Sequence, residues 1–143
     1  MRDLTLQAAQ TIVAEALKYS RRQEFLPLTV VVLDDRGAVK AVGSEDGSSL
    51  IRFDIARGKA FACLAFDLGA RAVAAKAQIF VNAVGQLRDV NMVPVPGGVL
   101  MRKSDKTVVG AVGISGDTSD NDEKAAVVAI EAAGFVPDTG AEG

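Results

Sequence analysis

A run of β-branched residues that ends in a tight turn sets the first constraint on the fold. Residues 28–33 read Leu-Thr-Val-Val-Val-Leu, which has the length and composition of a buried strand. Residues 34–37 follow as a turn, because Gly37 can adopt the positive φ that residues with a Cβ resist. Residues 39–42 supply a return strand, and 43–49 form a polar loop. The sequence therefore predicts a β-hairpin.

The segments around this hairpin have the periodicity of helices. In residues 5–24 apolar side chains recur every three or four positions, and the Thr5 hydroxyl can cap that helix. Residues 49–66 are so apolar that a helix there is buried on more than one side. The remaining predicted elements are short helices at 70–75 and 78–87, a second hairpin from strands 99–102 and 107–114, a last helix at 123–133 and a loose tail. Strands joined by hairpins, with helices grouped between them, indicate an α+β fold with an antiparallel sheet.

The composition excludes several classes of protein. The 16 basic and 18 acidic residues give a net charge of −2, which argues against nucleic-acid binding through phosphate contacts. The chain has no histidine and one cysteine, which excludes Ser-His-Asp triads, Cys-His dyads and zinc fingers, and no metal site is expected. No signal-peptide pattern is found, and no apolar stretch approaches the ~20 residues of a membrane-spanning helix. We expect a single cytoplasmic domain over residues 1–143, without a nucleic-acid or membrane partner.

Two basic residues on the apolar second helix are the main candidates for a binding site. Arg52 and Lys59 are separated by about two turns, which places them along one face of the helix. Because an unpaired buried charge is costly, each must reach water, an acidic partner or an anionic ligand. The acidic partners on offer precede the last helix and are Asp117, Asp120, Asp122 and Glu123. Asp120 or Asn121 in this group can also cap the last helix.

Glycines in the second half of the chain allow a similar choice between structure and binding. Pro96-Gly97-Gly98 predicts a turn whose backbone N–H groups can face a carboxylate. Gly110, Gly113 and Gly116 have a G-x-x-G-x-x-G spacing inside an apolar strand, unlike the G-x-G-x-x-G of dinucleotide-binding loops. We therefore predict that a helix or a ligand packs closely over Gly110 and Gly113.

In this order the motifs resemble the GlcG/HbpS family over roughly residues 4–134. The resemblance rests on Leu4-Thr5-Leu6, on the Val-rich strand ending in Asp34-Asp35-Arg36-Gly37, on Asp54-Ile55-Ala56 with Lys59-Ala60, on Pro96-Gly97-Gly98, and on residues 110–116 with Asp122-Glu123. The positions that match the family's recurrent motif are Asp54, Lys59, Pro96, Gly97, Gly98, Gly113, Ser115, Gly116, Asp122 and Glu123. The chain departs from the family at Phe61, where a small polar residue is common, and in having no histidine.

The resemblance implies a profilin- or PAS-like sandwich, a five-stranded antiparallel sheet with helices on both faces. It also implies a homo-oligomer, from dimer to octamer, and a partner that is a small anionic ligand or a tetrapyrrole. Family members have been linked to haem binding or degradation, to corrinoid metabolism through the PduO C-terminal domain, and to accessory roles in the glycolate operon. Histidine is the commonest proximal haem ligand. Without it, the remaining soft or phenolic candidates for a haem iron are Tyr19, Cys63, Met1, Met92 and Met101.

The residues and the resemblance together support three hypotheses of function. In the first, a pocket between the second helix and the second hairpin binds an anionic molecule, haem or a corrinoid, and its residues are Arg52, Lys59, Gly97, Gly98 and Ser115. In the second, the protein is an enzyme that moves a proton on a small carboxylate or carbonyl substrate, and its catalytic residues are Lys59, Asp54, Asp122 and Glu123. In the third, an accessory protein acts through the surface of its oligomer.

Overall fold

A computed structural model describes residues 3–76, 78–87 and 91–141. Within these ranges, the helices are α1 (Leu6–Arg22), α2 (Arg52–Phe66), α3 (Ala70–Ala74), α4 (Gln78–Gly85) and α5 (Ser119–Ala132). The strands are β1 (Thr29–Asp34), β2 (Val39–Ser44), β3 (Gly98–Arg102), β4 (Val108–Ser115) and β5 (Val136–Asp138). They form one sheet in the order β2-β1-β4-β3-β5, in which every neighbouring pair is antiparallel. The predicted α+β class is confirmed.

The helices pack on both faces of the sheet. Val30 and Val32 of β1 belong to the core under α1 and α5, whereas Val31 and Leu33 belong to the core under α2. Side chains alternate between the two faces of a strand, so a strand that is covered on both sides needs apolar residues at consecutive positions. This explains the Val-rich run from which the strand was predicted.

Both predicted hairpins are present. In the first turn Gly37 has a φ of +86°, and the Asp34 backbone N–H donates to the carbonyl of Ala38 at 2.9 Å. In the second hairpin β3 and β4 pair in a register that places Gly98 opposite Gly113. None of the helices in the described part of the chain is both long and apolar enough to cross a membrane.

The start of α5 differs from the prediction. The helix begins at Ser119 rather than at residue 123, and its cap is the Thr118 hydroxyl, which accepts from the Asn121 backbone N–H at 3.2 Å. The prediction that Asp120 or Asn121 caps the helix is therefore wrong. The first turn of α5 is too polar to show the apolar periodicity on which the predicted boundary depended.

The C-terminal tail is not loose, because it adds the edge strand β5 to the sheet. Met101 pairs with Pro137, and the Arg102 guanidinium donates to the Asp138 carboxylate at 2.9 Å. A strand of three residues that contains a proline has almost no signal of its own. Its partners in β3 determine its conformation, and they are distant in the sequence.

Two glycines allow α2 to approach the sheet closely. A Cβ atom on Gly113 would lie 1.8 Å from the carbonyl oxygen of Ala56, and one on Gly98 would lie 2.4 Å from that of Lys59. The predicted close packing over Gly113 is confirmed, with α2 as the packing element. Gly110 is also closely packed, but there a Cβ would meet the Leu33 carbonyl oxygen of the neighbouring strand at 2.2 Å.

Candidate functional site

A buried ion pair joins the two helical layers at one end of the sheet. Lys59 on α2 is 3% exposed and Asp122 in the first turn of α5 is 1% exposed. The Lys59 Nζ atom donates to Asp122 Oδ2 at 3.2 Å and to the Ile114 carbonyl oxygen at 2.9 Å. Lys59 therefore meets an acidic partner from the group before the last helix, which was the structural alternative to a ligand.

Burial acts on both members of this pair. Removal from water lowers the pKa of Lys59, and the attraction of Asp122 works against that shift. Removal from water likewise raises the pKa of Asp122, against the opposing effect of Lys59. Within the described residues every buried side-chain polar atom has a hydrogen-bond partner, so the pair is fully satisfied where it lies.

Gly97 provides the space through which the Lys59 side chain passes. Its φ is +119°, and an added Cβ would lie 2.7 Å from Lys59 Nζ and 2.9 Å from the Ile114 carbonyl oxygen. The Ile114 backbone N–H donates to the Gly97 carbonyl at 3.0 Å, which fixes this turn against β4. Glycine is required here by both its conformation and its lack of a side chain.

Asp122 also organises the loop that enters α5. Its Oδ1 atom accepts from the Asp117 backbone N–H at 3.0 Å, and Asp117 Oδ2 accepts from the Leu26 backbone N–H at 2.8 Å. Burial acts to raise the pKa of Asp117, but hydrogen bonds from Leu26, Asn121 and Thr118 hold that pKa below its ordinary value. The two neighbouring carboxylates therefore have pKa shifts of opposite direction.

Arg52 lies at the rim of this cluster and is differently placed from Lys59. Its Nη1 atom donates to Ser115 Oγ at 3.1 Å, and Ser115 is buried at the end of β4. Arg52 is half-buried and forms no ion pair with any residue that the structure describes. Leu50, which is 95% exposed, and the exposed Ile51 precede it. A guanidinium has five N–H donors, so most of those on Arg52 remain available to a ligand.

The predicted catalytic carboxylates Asp54 and Glu123 lie outside this cluster. The Asp54 side chain is exposed, and its backbone carbonyl accepts a hydrogen bond from the Asn91 side chain at 3.3 Å. Glu123 accepts from both Nε and Nη2 of Arg71 on α3, each at 3.1 Å. The structure thus brings Arg52, Lys59, Gly97, Gly98, Ser115 and Asp122 together, and it leaves Asp54 and Glu123 out of that cluster.

Sequence reasoning missed Arg71, which also donates to Asp120 at 2.8 Å. These hydrogen bonds tie α3 to the first turn of α5 and hold the pKa of Arg71 above its ordinary range. The partners are far apart in the chain and no local pattern links them, so only the tertiary arrangement identifies this contact.

The sequence model of the family described as haem degrading protein HbpS-like matches residues 4–131. The chain belongs to the HbpS-like family. This is the family that the motifs of the sequence resemble, and the match covers most of the elements that build the cluster, from α1 into α5. A search of curated protein sequences found no match.

Several solved structures share the fold of this HbpS-like chain. The heme complex of PduOC is 19% identical with a TM-score of 0.82, and the alignment covers 94% of this chain and 97% of that one. Klebsiella pneumoniae protein ORFY is 23% identical with a TM-score of 0.82, over 93% and 92% of the two chains. A double mutant of Streptomyces reticuli HbpS is 21% identical with a TM-score of 0.76, over 92% and 88%. At these identities the likeness establishes the fold.

The side chains that could bind a haem iron differ in access. Cys63 is buried, donates to the Lys59 carbonyl at 3.4 Å, and has a pKa that burial raises to about 12. Met101 is fully buried in the core. Met92 lines a cleft of about 510 Å³ beside α4, Tyr19 packs edge-on against Phe25, and Met1 lies outside the described residues. The described residues contain no group of three or more Cys, Asp or Glu side chains that could hold a metal ion.

Proposed function

We propose that this HbpS-like protein binds a small anionic molecule or a tetrapyrrole, haem or a corrinoid, and that Arg52 is the group that meets its carboxylates. The observation that carries the proposal is the state of the guanidinium: half-buried, held by Ser115, and without an acidic partner in the described chain. Arginine can bind a carboxylate through two parallel hydrogen bonds, which gives both strength and orientation. A propionate or a small carboxylate fits this chemistry.

The ligand in this proposal lies at the rim of the space between α2 and the second hairpin. The interior of that space is occupied, because α2 lies directly on Gly98 and Gly113 and the Lys59–Asp122 pair fills the end of the sheet. Lys59, Gly97 and Gly98 therefore form the wall behind the ligand. The exposed Leu50 and Ile51 offer an apolar surface for a macrocycle beside the charged group.

The family's description and the heme complex of PduOC support the tetrapyrrole form of the proposal. A bound haem would supply the redox and Lewis-acid chemistry of its iron. This chain has no imidazole to bind that iron, and its cysteine is buried. Recognition through the propionates and the face of the ring is consequently the arrangement that fits the residues present.

We also propose that the protein forms a homo-oligomer, in the range from dimer to octamer that its family resemblance implies. A buried, unpaired cysteine is compatible with the reducing conditions of the cytoplasm, which is the compartment we propose.

Titration of the purified protein with hemin, followed by the Soret band, tests the binding site. The wild-type protein should show a saturable shift. Arg52→Ala should weaken binding about tenfold or more, because a hydrogen bond to a charged group contributes about 1.5–3 kcal/mol. Arg57→Ala is the matched control, since Arg57 is an exposed arginine on the same helix and should leave the affinity unchanged.

Two outcomes of this titration would contradict the proposal. The absence of a saturable shift in the wild-type protein would exclude haem as the ligand, and calorimetry with a corrinoid and with a small dicarboxylate would then test the two remaining ligands. An equal loss of affinity in the Arg52 and Arg57 variants would show that binding follows general positive charge rather than this site.

A further inference from the structure

The two edges of the sheet are protected to different degrees. At one edge β5 has three residues, and one of them is Pro137, which has no N–H group to offer. At the other edge β2 spans six residues, Val39–Ser44, and contains no proline; among the strands that the structure describes, it pairs only with β1. The free side of an edge strand presents unpaired N–H and C=O groups that can pair with another strand. The edge formed by β2 is thus the one open to pairing.

On its α1 side, the surface beside this edge carries no charge. A groove of about 280 Å³ runs between α1 and β2, and it is lined by Leu6, Gln10, Val13, Ala14, Lys40, Ala41 and Val42. Residues 4–14 contain no charged side chain, although α1 lies on the outside of the molecule. Solvent-facing helix surfaces are normally charged, so this surface has the composition of one that becomes covered.

We propose that β2 pairs antiparallel with β2 of a second copy of this chain, joining two sheets into one around a two-fold axis. The inference rests on the self-association proposed above and names the surface that carries it. A two-fold axis requires one patch that is complementary to itself, and an antiparallel strand pair meets that requirement. The uncharged halves of the two α1 helices would then flank the joint.

The charges at the two ends of β2 identify a second copy as the partner. Lys40 lies near the start of the strand, and Asp46 follows its end. Neither forms an ion pair with any residue in the described ranges. An antiparallel pairing centred near Val42 places Lys40 opposite Ser44 of the partner subunit, and the partner's Asp46 lies two residues further along, at a diagonal position that a lysine side chain can reach. The strand is therefore complementary in charge to an inverted copy of itself.

The molar mass of wild-type and variant proteins, measured by light scattering and sedimentation, tests the interface. The wild-type protein should be a dimer or a larger even-numbered oligomer. Val42→Lys should lower the mass, because two lysines would face each other near the axis. Val136→Lys on β5 is the matched control, since Val136 is 49% exposed against 43% for Val42, and it should leave the mass unchanged. Thermal melting verifies that both variants are folded.

A charge exchange provides a second, independent measurement. Lys40→Glu and Asp46→Lys should each raise the dimer dissociation constant several-fold, because each places like charges at diagonal positions across the joint. The double variant restores opposite charges and should return the dissociation constant towards that of the wild-type protein. Losses that simply add in the double variant would overturn the proposed register.

The outcomes separate this inference from the proposals on which it rests. A monomeric wild-type protein would overturn both self-association and the β2 interface. The proposal that Arg52 binds hemin would be unaffected, because the hemin titration tests it separately. An oligomer that is unaffected by Val42→Lys but dissociated by Ile79→Lys would overturn the β2 interface alone. It would move the contact to α4, where Ile79 is exposed.

Discussion

Arg52 and Lys59 are two cations on one helix, and the fold treats them in opposite ways. Lys59 is buried, and its ammonium group donates hydrogen bonds to Asp122 and to the Ile114 carbonyl. Arg52 is half-buried, and among the described residues its guanidinium has one hydrogen-bond partner, the neutral Ser115. The two positions are indistinguishable by helix face in the sequence. The difference shows that a basic residue on an apolar helix can form an ion pair within the fold or be available to bind a ligand. The residues around it in the folded protein determine which of the two roles it has.

The largest effect we expect is on stability, at Lys59. Lys59→Met leaves the Asp122 carboxylate buried without a counter-ion, and such losses cost about 3–5 kcal/mol of the free energy of unfolding. Urea denaturation measures this cost. Arg52→Ala should cost about 1 kcal/mol or less, since only one hydrogen bond at a half-exposed position is lost. Equal costs for the two variants would remove the distinction between them.

A double variant sharpens this expectation. Lys59→Met with Asp122→Asn replaces the ion pair by neutral groups, and asparagine retains an oxygen for the Asp117 backbone N–H. Because neutral replacements of buried pairs are often tolerated, the double variant should recover more than half of the stability lost in Lys59→Met. If the two losses instead add, the pair does not act as a unit.

A smaller effect is expected from Gly97→Ala, which leaves both charges in place. The added Cβ would lie 2.7 Å from Lys59 Nζ, at a φ that other residues rarely adopt. We expect a loss of about 1–3 kcal/mol in the free energy of unfolding. Gly85→Ala is the control, because a Cβ there meets no atom of the described residues within 4 Å, and it should leave stability unchanged or slightly increased. A tolerated alanine at position 97 would mean that Lys59 is free to move.

The smallest effect is a pH dependence that separates Asp117 from Asp122. The folded-state pKa of Asp117 lies below its ordinary value of 3.8, so its contribution to stability is present above that pH and is lost as the pH falls through the folded value. The pKa of Asp122 lies above 3.8, because burial disfavours the carboxylate. In the window above 3.8, stability from this group therefore falls as the pH rises.

Denaturation between pH 3 and 7, about the range in which carboxylates titrate, measures these slopes. Asp117→Asn should make the free energy of unfolding depend less on pH below about pH 4. Asp122→Asn should make the free energy of unfolding rise more steeply with pH above about pH 4. Matching slopes in the two variants would contradict the opposite directions of the two pKa shifts.

The sequence predicted those parts of the fold that have a local signal. The Val-rich β1, the turn at Gly37 and the cap at Thr5, whose hydroxyl accepts from the Ala8 backbone N–H at 3.0 Å, are all set by near neighbours. The edge strand β5 and the start of α5 were missed. The strand is held by pairing with β3, and the polar first turn of α5 is held by Thr118 and by Arg71 from α3.

The sequence predicted which residues belong to the candidate site, but not which partners they have in the folded protein. The cost of a buried charge indicated that Lys59 reaches water, an acidic partner or an anionic ligand. Four acidic residues were available, and only the path past Gly97 selects Asp122. The contact between Arg52 and Ser115 depends on where β4 ends relative to the start of α2. That relation is tertiary, so no spacing in the sequence contains it.

The path of Lys59 through the end of the sheet also has an evolutionary consequence. A lysine at 59, an acid at 122 and a glycine at 97 form one unit, although they come from three distant parts of the chain. We expect a protein that loses one of the three to fold less stably, because Asp122 or Lys59 is then left buried without its partner or without its space. Homologues should therefore keep all three together or exchange them together, whereas the residue at 52 is free to diverge with the ligand.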